Sequence, residues 1–253
     1  MSKLIDKLNL ASQAAPQPMG FRARQPSPTK PAMLLIATFT KANVDGLADY
    51  VAGADGGLWH ISPGLEAKAF HKVSKSLPDI PWGWWLDVGS EEELGNISKL
   101  GGDFVVFPAA STPLAIPQDD EVGKILQVEA SLSEGLLRTI DDLPIDAVLL
   151  TSDPFLTWHH LMLFQRAARL LAKPLLATTP SNVAANELQA LWEAGVDGIV
   201  VEVEVGKPAG RLNELHQILN ELSYPSSRKR GKIEPLLPHI TGDTDLITEE
   251  EEE

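Results

Sequence analysis

Between Pro31 and Val205 a short apolar run ending in small or polar residues is followed, eight times over, by a segment with helical spacing. The runs are Ala32 to Phe39, Gly57 to Ile61, Gly83 to Val88, Asp103 to Phe107, Lys124 to Ala130, Ala147 to Thr151, Pro174 to Thr178 and Gly198 to Val205. A strand covered on both faces reads as a near-continuous hydrophobic run, and a helix between successive strands makes them parallel. Eight such units closing on themselves predict an α/β fold: a single (β/α)8 barrel with extensions at both ends. Gly101-Gly102, Gly195 and Gly198 punctuate the returns from helix to strand.

The chain length of 253 residues and a hydrophobic content of 43% suit one barrel with a sizeable core. No run approaches the roughly 20 apolar residues of a membrane span. Lys3, Asp6 and Lys7 interrupt the stretch that a signal peptide would keep apolar, so a cytoplasmic location is expected. The lack of cysteine excludes disulfides, thiolate zinc sites and cysteine nucleophiles. A net charge of −14 argues against nucleic acid or an anionic membrane as partner.

Composition shifts at both ends and divides the chain into an arm (1–30), a barrel (31–223) and a tail (224–253). The arm opens with a helical turn or two over Ser2 to Leu10 and continues as a Pro/Gln/Ala-rich stretch holding the apolar island Met19-Gly20-Phe21. The tail runs from a basic cluster, Arg228-Lys229-Arg230 with Lys232, past Leu236-Leu237-Pro238 to Glu249–Glu253. Such segments can order on a partner surface, so a protein partner or self-association through the arms is expected. On this reading, deleting residues 1–28 and 226–253 abolishes association and leaves the barrel folded. Within the barrel, Asp153-Pro154 signals the start of a long helix reaching Leu171. Ser181 precedes another that ends at Gly195, with Leu188, Leu191 and Trp192 as its core stripe. Ser90 followed by Glu91, Glu92 and Glu93 marks the acidic first turn of a third.

Sites in such barrels lie at the C-terminal ends of the strands. Side chains alternate along a strand and the outer face must pack on helices, so the polar member of each pair should enter the mouth. This selects Thr38, Thr40, His60, Ser62, Asp87, Gln127, Glu129, Thr151, Asp153, Thr178, Glu202 and Glu204. Alternation also places Trp85 inside the barrel with Asp87, and Trp82 and Trp84 against the helices. Five of the selected residues, Asp87, Glu129, Asp153, Glu202 and Glu204, are acids, and Lys41 is the one obvious cation nearby. Acids held close together repel unless a cation compensates them, and carboxylates with hydroxyls suit a hard ion such as Mg²⁺ or Mn²⁺. A wide, wet mouth in which the acids are simply solvated is the alternative. Candidate proton carriers are His60, Asp87 and Lys41, with Thr38, Thr151, Thr178, Glu202 and Glu204 as substrate contacts. His159 and His160 open a helix near the mouth and read first as helix-surface residues. Strand 7 ends in Thr178-Thr179-Pro180 and strand 8 in Glu202-Val203-Glu204, where barrels that bind phosphate place glycine-rich amides, so neither FMN nor a phosphate-bearing cofactor is expected.

From Ile125 to Val205 the chain resembles the class II pyruvate aldolase and citrate lyase β-subunit family, through the stretch LQVEASLSEGLLRTIDDLPIDAVLLTSDPFL and the two units that follow. The resemblance implies a metal-dependent lyase with Glu129 and Asp153 as the ligands. The family's strand-3 arginine has no counterpart in Trp82-Gly83-Trp84-Trp85-Leu86-Asp87, and Thr151-Ser152 stands where the family has glycine-proline. Two function classes are therefore expected: a catalytically degenerate barrel serving as a binding or assembly subunit, or a Mg²⁺-dependent carbon–carbon lyase acting on a small polar substrate.

Overall fold

The computed structural model describes residues 2–12, 32–39, 47–61, 79–86, 102–114, 121–151, 155–203 and 210–222. All eight expected runs form strands: β1 (Leu34–Phe39), β2 (Gly56–Ile61), β3 (Trp82–Leu86), β4 (Phe104–Pro108), β5 (Gly123–Glu129), β6 (Ala147–Thr151), β7 (Leu175–Thr179) and β8 (Gly198–Glu202). They pair in chain order, every pair parallel, and β8 closes on β1 with Leu34 beside Gly198 and Thr38 beside Glu202. The fold is a (β/α)8, or TIM, barrel. The described helices are α1 (Lys3–Ser12), α2 (Leu47–Tyr50), α3 (Glu134–Thr139), α4 (Trp158–Leu170), α5 (Ala185–Ala194) and α6 (Arg211–Glu221), with a 3-10 turn at Ile140–Asp142.

Strand alternation divides the core in two. Leu35, Ala37, Trp84, Leu126, Leu150, Ala177 and Val201 face outward and pack with Phe164, Leu188, Leu191, Trp192, Leu215 and Leu219 of the helices. Leu34, Ile36, Leu58, Trp85, Phe104, Val106, Ile125, Leu149, Leu176 and Val200 fill the interior. Trp85 thus lies inside the barrel and Trp84 outside it, as the alternation from Asp87 requires. Gly83 makes this filling possible, because a Cβ there would sit 2.4 Å from the Phe104 ring.

The first helix belongs to this interior. Leu4, Ile5, Leu8 and Ala11, spaced along one face of α1, join the inner cluster at the N-terminal end of the barrel. Three glycines at strand starts admit them. A Cβ on Gly56 would lie 3.1 Å from Leu4, one on Gly123 2.5 Å from Ile5, and one on Gly198 3.4 Å from Leu8. Asp103 fixes the helix start. Its carboxylate accepts from the Ser2 hydroxyl (2.8 Å) and from the backbone N–H groups of Lys3 (2.7 Å) and Leu4 (2.9 Å), satisfying donors that the first turn leaves unpaired and favouring the positive end of the helix. Lys7 donates to the Asp55 carbonyl at 3.2 Å. The expectation of an arm with a helical turn or two therefore becomes, over its first part, a ten-residue helix that closes the barrel floor. Residues 13–31 and 223–253, on which the partner expectations fall, lie outside the described residues.

Asp103 is one of four aspartates that each stand immediately before an even-numbered strand: Asp55 before β2, Asp103 before β4, Asp146 before β6 and Asp197 before β8. Asp55 accepts from Leu35 N on β1 (2.9 Å), Asp146 from Lys124 N on β5 (2.7 Å) and Asp197 from Leu175 N on β7 (2.9 Å). Each ties the start of its own strand to the strand before it. Asp103 holds α1 instead. Gly195, two residues before Asp197, ends α5 at φ 101° with its N–H on the carbonyls of Leu191 and Trp192, a left-handed conformation that favours glycine.

The start of α4 differs from the sequence expectation. Asp153 and Pro154 lie outside the described residues, and the helix begins at Trp158 with Thr157 as its cap. The Thr157 hydroxyl accepts from His160 N (3.3 Å), while His160 Nδ1 accepts from Thr157 N (3.2 Å). This reciprocal pair satisfies two end groups at once, with histidine in the place usually taken by Glu or Gln. His160 is consequently a buried cap residue, and His159 is exposed.

Candidate ligand site at the barrel mouth

Continuing the interior rows toward the strand C-termini brings Thr38, His60, Trp85, Gln127, Glu129, Thr151, Thr178 and Glu202 to the mouth. Two of these form a platform. The His60 and Trp85 rings, on register-paired positions of β2 and β3, stack with centroids 4.4 Å apart and planes 21° from parallel. Trp85 is 7% exposed and its indole Nε1–H donates to Gln127 Oε1 at 2.9 Å, so an inward side chain of β3 reaches one of β5 across β4. A buried indole requires such a partner for its single donor. The bond also orients the amide: with Oε1 occupied by Trp85, the two Nε2–H donors of Gln127 are directed elsewhere.

Thr38 closes the β1 side. It is 4% exposed, and its hydroxyl has no hydrogen-bond partner. A buried hydroxyl left unpaired costs about 1–3 kcal/mol, which a ligand atom placed against it would recover. Glu129 and Glu202 end β5 and β8 and are both exposed, with the Ser131 hydroxyl donating to Glu129 Oε2 at 3.3 Å. Thr151, beside Glu129 in the register, and Thr178 are half-buried. No Lys or Arg occurs among the described inward-facing strand residues. Lys41, Asp87, Asp153 and Glu204 lie outside the described residues, so the acid cluster expected from sequence is represented here by Glu129 and Glu202.

Among the described residues no three His, Asp or Glu side chains group as a metal centre. Glu129 is the one described member of the expected ligand pair. No described helix is long and apolar enough to cross a membrane. The feature that sequence reasoning missed is the His60–Trp85–Gln127 unit: alternation identified each as inward-facing, but their contact depends on how strands are staggered around the barrel.

No family model matches the sequence, and no curated protein is similar to it. Among solved structures, the tryptophan synthase α-subunit from the hyperthermophile Pyrococcus furiosus is similar at 15% identity with a TM-score of 0.58, covering 76% of this chain and 97% of that one. Thiamine phosphate pyrophosphorylase from Pyrococcus furiosus is similar at 17% identity and a TM-score of 0.57, covering 76% and 98%. At such identity these likenesses establish the barrel fold alone. They overturn the resemblance to the class II pyruvate aldolase and citrate lyase β-subunit family, which has no place among these structural neighbours. The physical reason lies in residues 125–205. A buried strand, a polar residue at its C-terminal end and an amphipathic helix are what any βαβα segment of such a barrel displays, so the family reading of Glu129 and Asp153 loses its warrant.

Proposed function

We propose that this chain is a small-molecule-binding barrel whose ligand rests at the C-terminal mouth on the platform formed by His60 and Trp85. The observation that carries this reading is the platform itself: a stacked imidazole–indole pair locked by Gln127, beside a buried Thr38 hydroxyl that lacks a partner. Aromatic faces with a few convergent polar groups are the usual lining of small-ligand pockets. The His60 imidazole adds ring nitrogens that can donate or accept a proton, which suits proton transfer to or from a bound molecule. The test is differential scanning fluorimetry with a panel of metabolite-sized ring compounds. The expected result is a set of stabilising compounds whose effect disappears in Trp85→Leu and His60→Ala. Stabilisation that persists in both variants, or a panel with no stabilising member, contradicts the reading.

A second reading, as an assembly subunit, is favoured by a separate observation. Phe155, Trp158 and Met162 are 75%, 84% and 62% exposed, and Trp158 and Met162 lie one turn apart on α4. Exposed apolar groups clustered this way mark interaction surfaces. The expected outcome is a mass above that of the monomer by light scattering, falling to the monomer in Trp158→Glu/Met162→Glu. A monomeric wild type overturns it.

A further inference from the structure

We propose that the exposed apolar patch at the start of α4 is the contact face of a two-fold homodimer, an inference that rests on the assembly reading above and names its partner as a second copy of this chain. Phe155, Trp158 and Met162 gather in one short segment, whereas the other exposed large apolar side chains among the described residues, Leu10, Leu114, Leu136 and Leu143, stand on separate elements. Trp158 and Met162 are four residues apart and so project from one face of the helix. Charge names the occupant. The chain carries a net charge of −14, so two copies repel at any face where their acids meet. From Phe155 to Gln165 the sequence holds no Asp, Glu, Lys or Arg. The first charged side chain after that stretch, Arg166, is turned onto the carbonyls of Ala130 and Leu132 at 3.1 and 2.8 Å. A basic partner finds nothing to pair with here, whereas a copy of the same patch brings apolar surface without charge, and a two-fold axis sets each patch against its twin. The area is adequate for a weak dimer. Four aromatic side chains, two from each copy, bury up to about 150–250 Å² each, and with two methionines they approach the roughly 1,000 Å² at which a specific interface begins. The axis crosses α4 near Met162, midway along its uncharged stretch from Trp158 to Gln165.

Sedimentation equilibrium of the full chain should show a mass that rises with concentration from one chain toward two. Raising the salt from about 0.05 M to about 0.5 M should tighten the dimer about threefold or more, because it screens the repulsion between two acidic copies while the apolar contact remains. The chain has no cysteine, so single introduced thiols report the geometry. Met162→Cys lies close to the axis, and a disulfide needs Cα atoms within about 7 Å, so copper–phenanthroline oxidation should join its two copies about tenfold or more faster than those of Glu221→Cys at the far end of α6. Both side chains are exposed, so the variants fold, which unchanged thermal melts verify. A mass that stays at one chain overturns the inference together with the assembly reading, and is the result expected if a different protein covers the patch. A mass that passes beyond two, or Met162→Cys cross-linking no faster than Glu221→Cys, overturns the two-fold arrangement while the assembly reading stands. A dimer that salt weakens overturns the uncharged contact in the same way.

Discussion

Leu8→Ala destabilises the barrel by about 2–5 kcal/mol, and deleting residues 1–12 removes cooperative folding. Leu8 is fully buried inside the inner cluster against Gly198, and replacing it by alanine leaves a cavity between a rigid barrel floor and a helix that Asp103 holds in place. That combination puts Leu→Ala changes in the range of 2–5 kcal/mol, because the surroundings cannot collapse around the void. Loss of the whole helix is worse. Leu4, Ile5 and Leu8 each contribute about 1.5–3 kcal/mol by burial, and their removal exposes the apolar floor they cover. Against a total stability of roughly 5–15 kcal/mol, little remains. Circular dichroism melts are the check, with a Tm drop of roughly 4–20 °C for Leu8→Ala at the usual 2–4 °C per kcal/mol in a chain of this size. A truncated chain lacking residues 1–12 that melts like wild type contradicts the packing of α1. The expected loss of cooperative folding departs from the sequence-based expectation that the first 28 residues are dispensable, because Leu4, Ile5 and Leu8 pack inside the barrel floor.

Asp197→Ala costs about 2–4 kcal/mol, whereas Asp146→Ala costs less than about 1.5 kcal/mol. The two carboxylates make the same bond, to a backbone N–H of the preceding strand, at 2.9 and 2.7 Å. They differ in burial. Asp197 is 0% exposed and Asp146 is exposed, so losing the first strands the buried Leu175 N–H while losing the second lets water replace the carboxylate. Urea denaturation at constant m separates them. Asp197→Asn should recover part of the loss, because its side-chain oxygen can still accept. Equal losses at Asp146 and Asp197 would show that burial is not the deciding term.

The contrast between α1 and the strands explains what could be read in advance. Runs such as Leu34–Phe39 and Ala147–Thr151 are apolar because both faces are covered, and that demand is local, so the strands were legible one at a time. The inward position of Trp85 followed from the two-residue period alone. The docking of α1 was not legible, although Leu4, Ile5 and Leu8 carry a helical stripe. A stripe says that something covers it, and the covering surface is made from Gly56, Gly123 and Gly198, which meet only in the closed barrel. The Trp85–Gln127 bond was hidden for the same reason, since it joins β3 to β5 across the interior. Asp153-Pro154 carried the familiar signal for the start of α4, yet Thr157 and His160 make the cap through a less common residue pair. The lyase resemblance failed because residues 125–205 display what the barrel requires of any sequence.

The central claim is that a small ring compound rests on the stacked His60–Trp85 pair. The chain has six tryptophans, and their indole N–H signals in a ¹H–¹⁵N spectrum can be sorted by substitution, Trp85 being the resonance missing from Trp85→Phe. Titration with a ring compound that stabilises the chain in scanning fluorimetry should move the Trp85 signal progressively to saturation and leave the Trp82, Trp84, Trp158 and Trp192 signals in place. A Trp85 signal that stays fixed while the ligand reaches saturation elsewhere, or while no signal moves, would contradict the account.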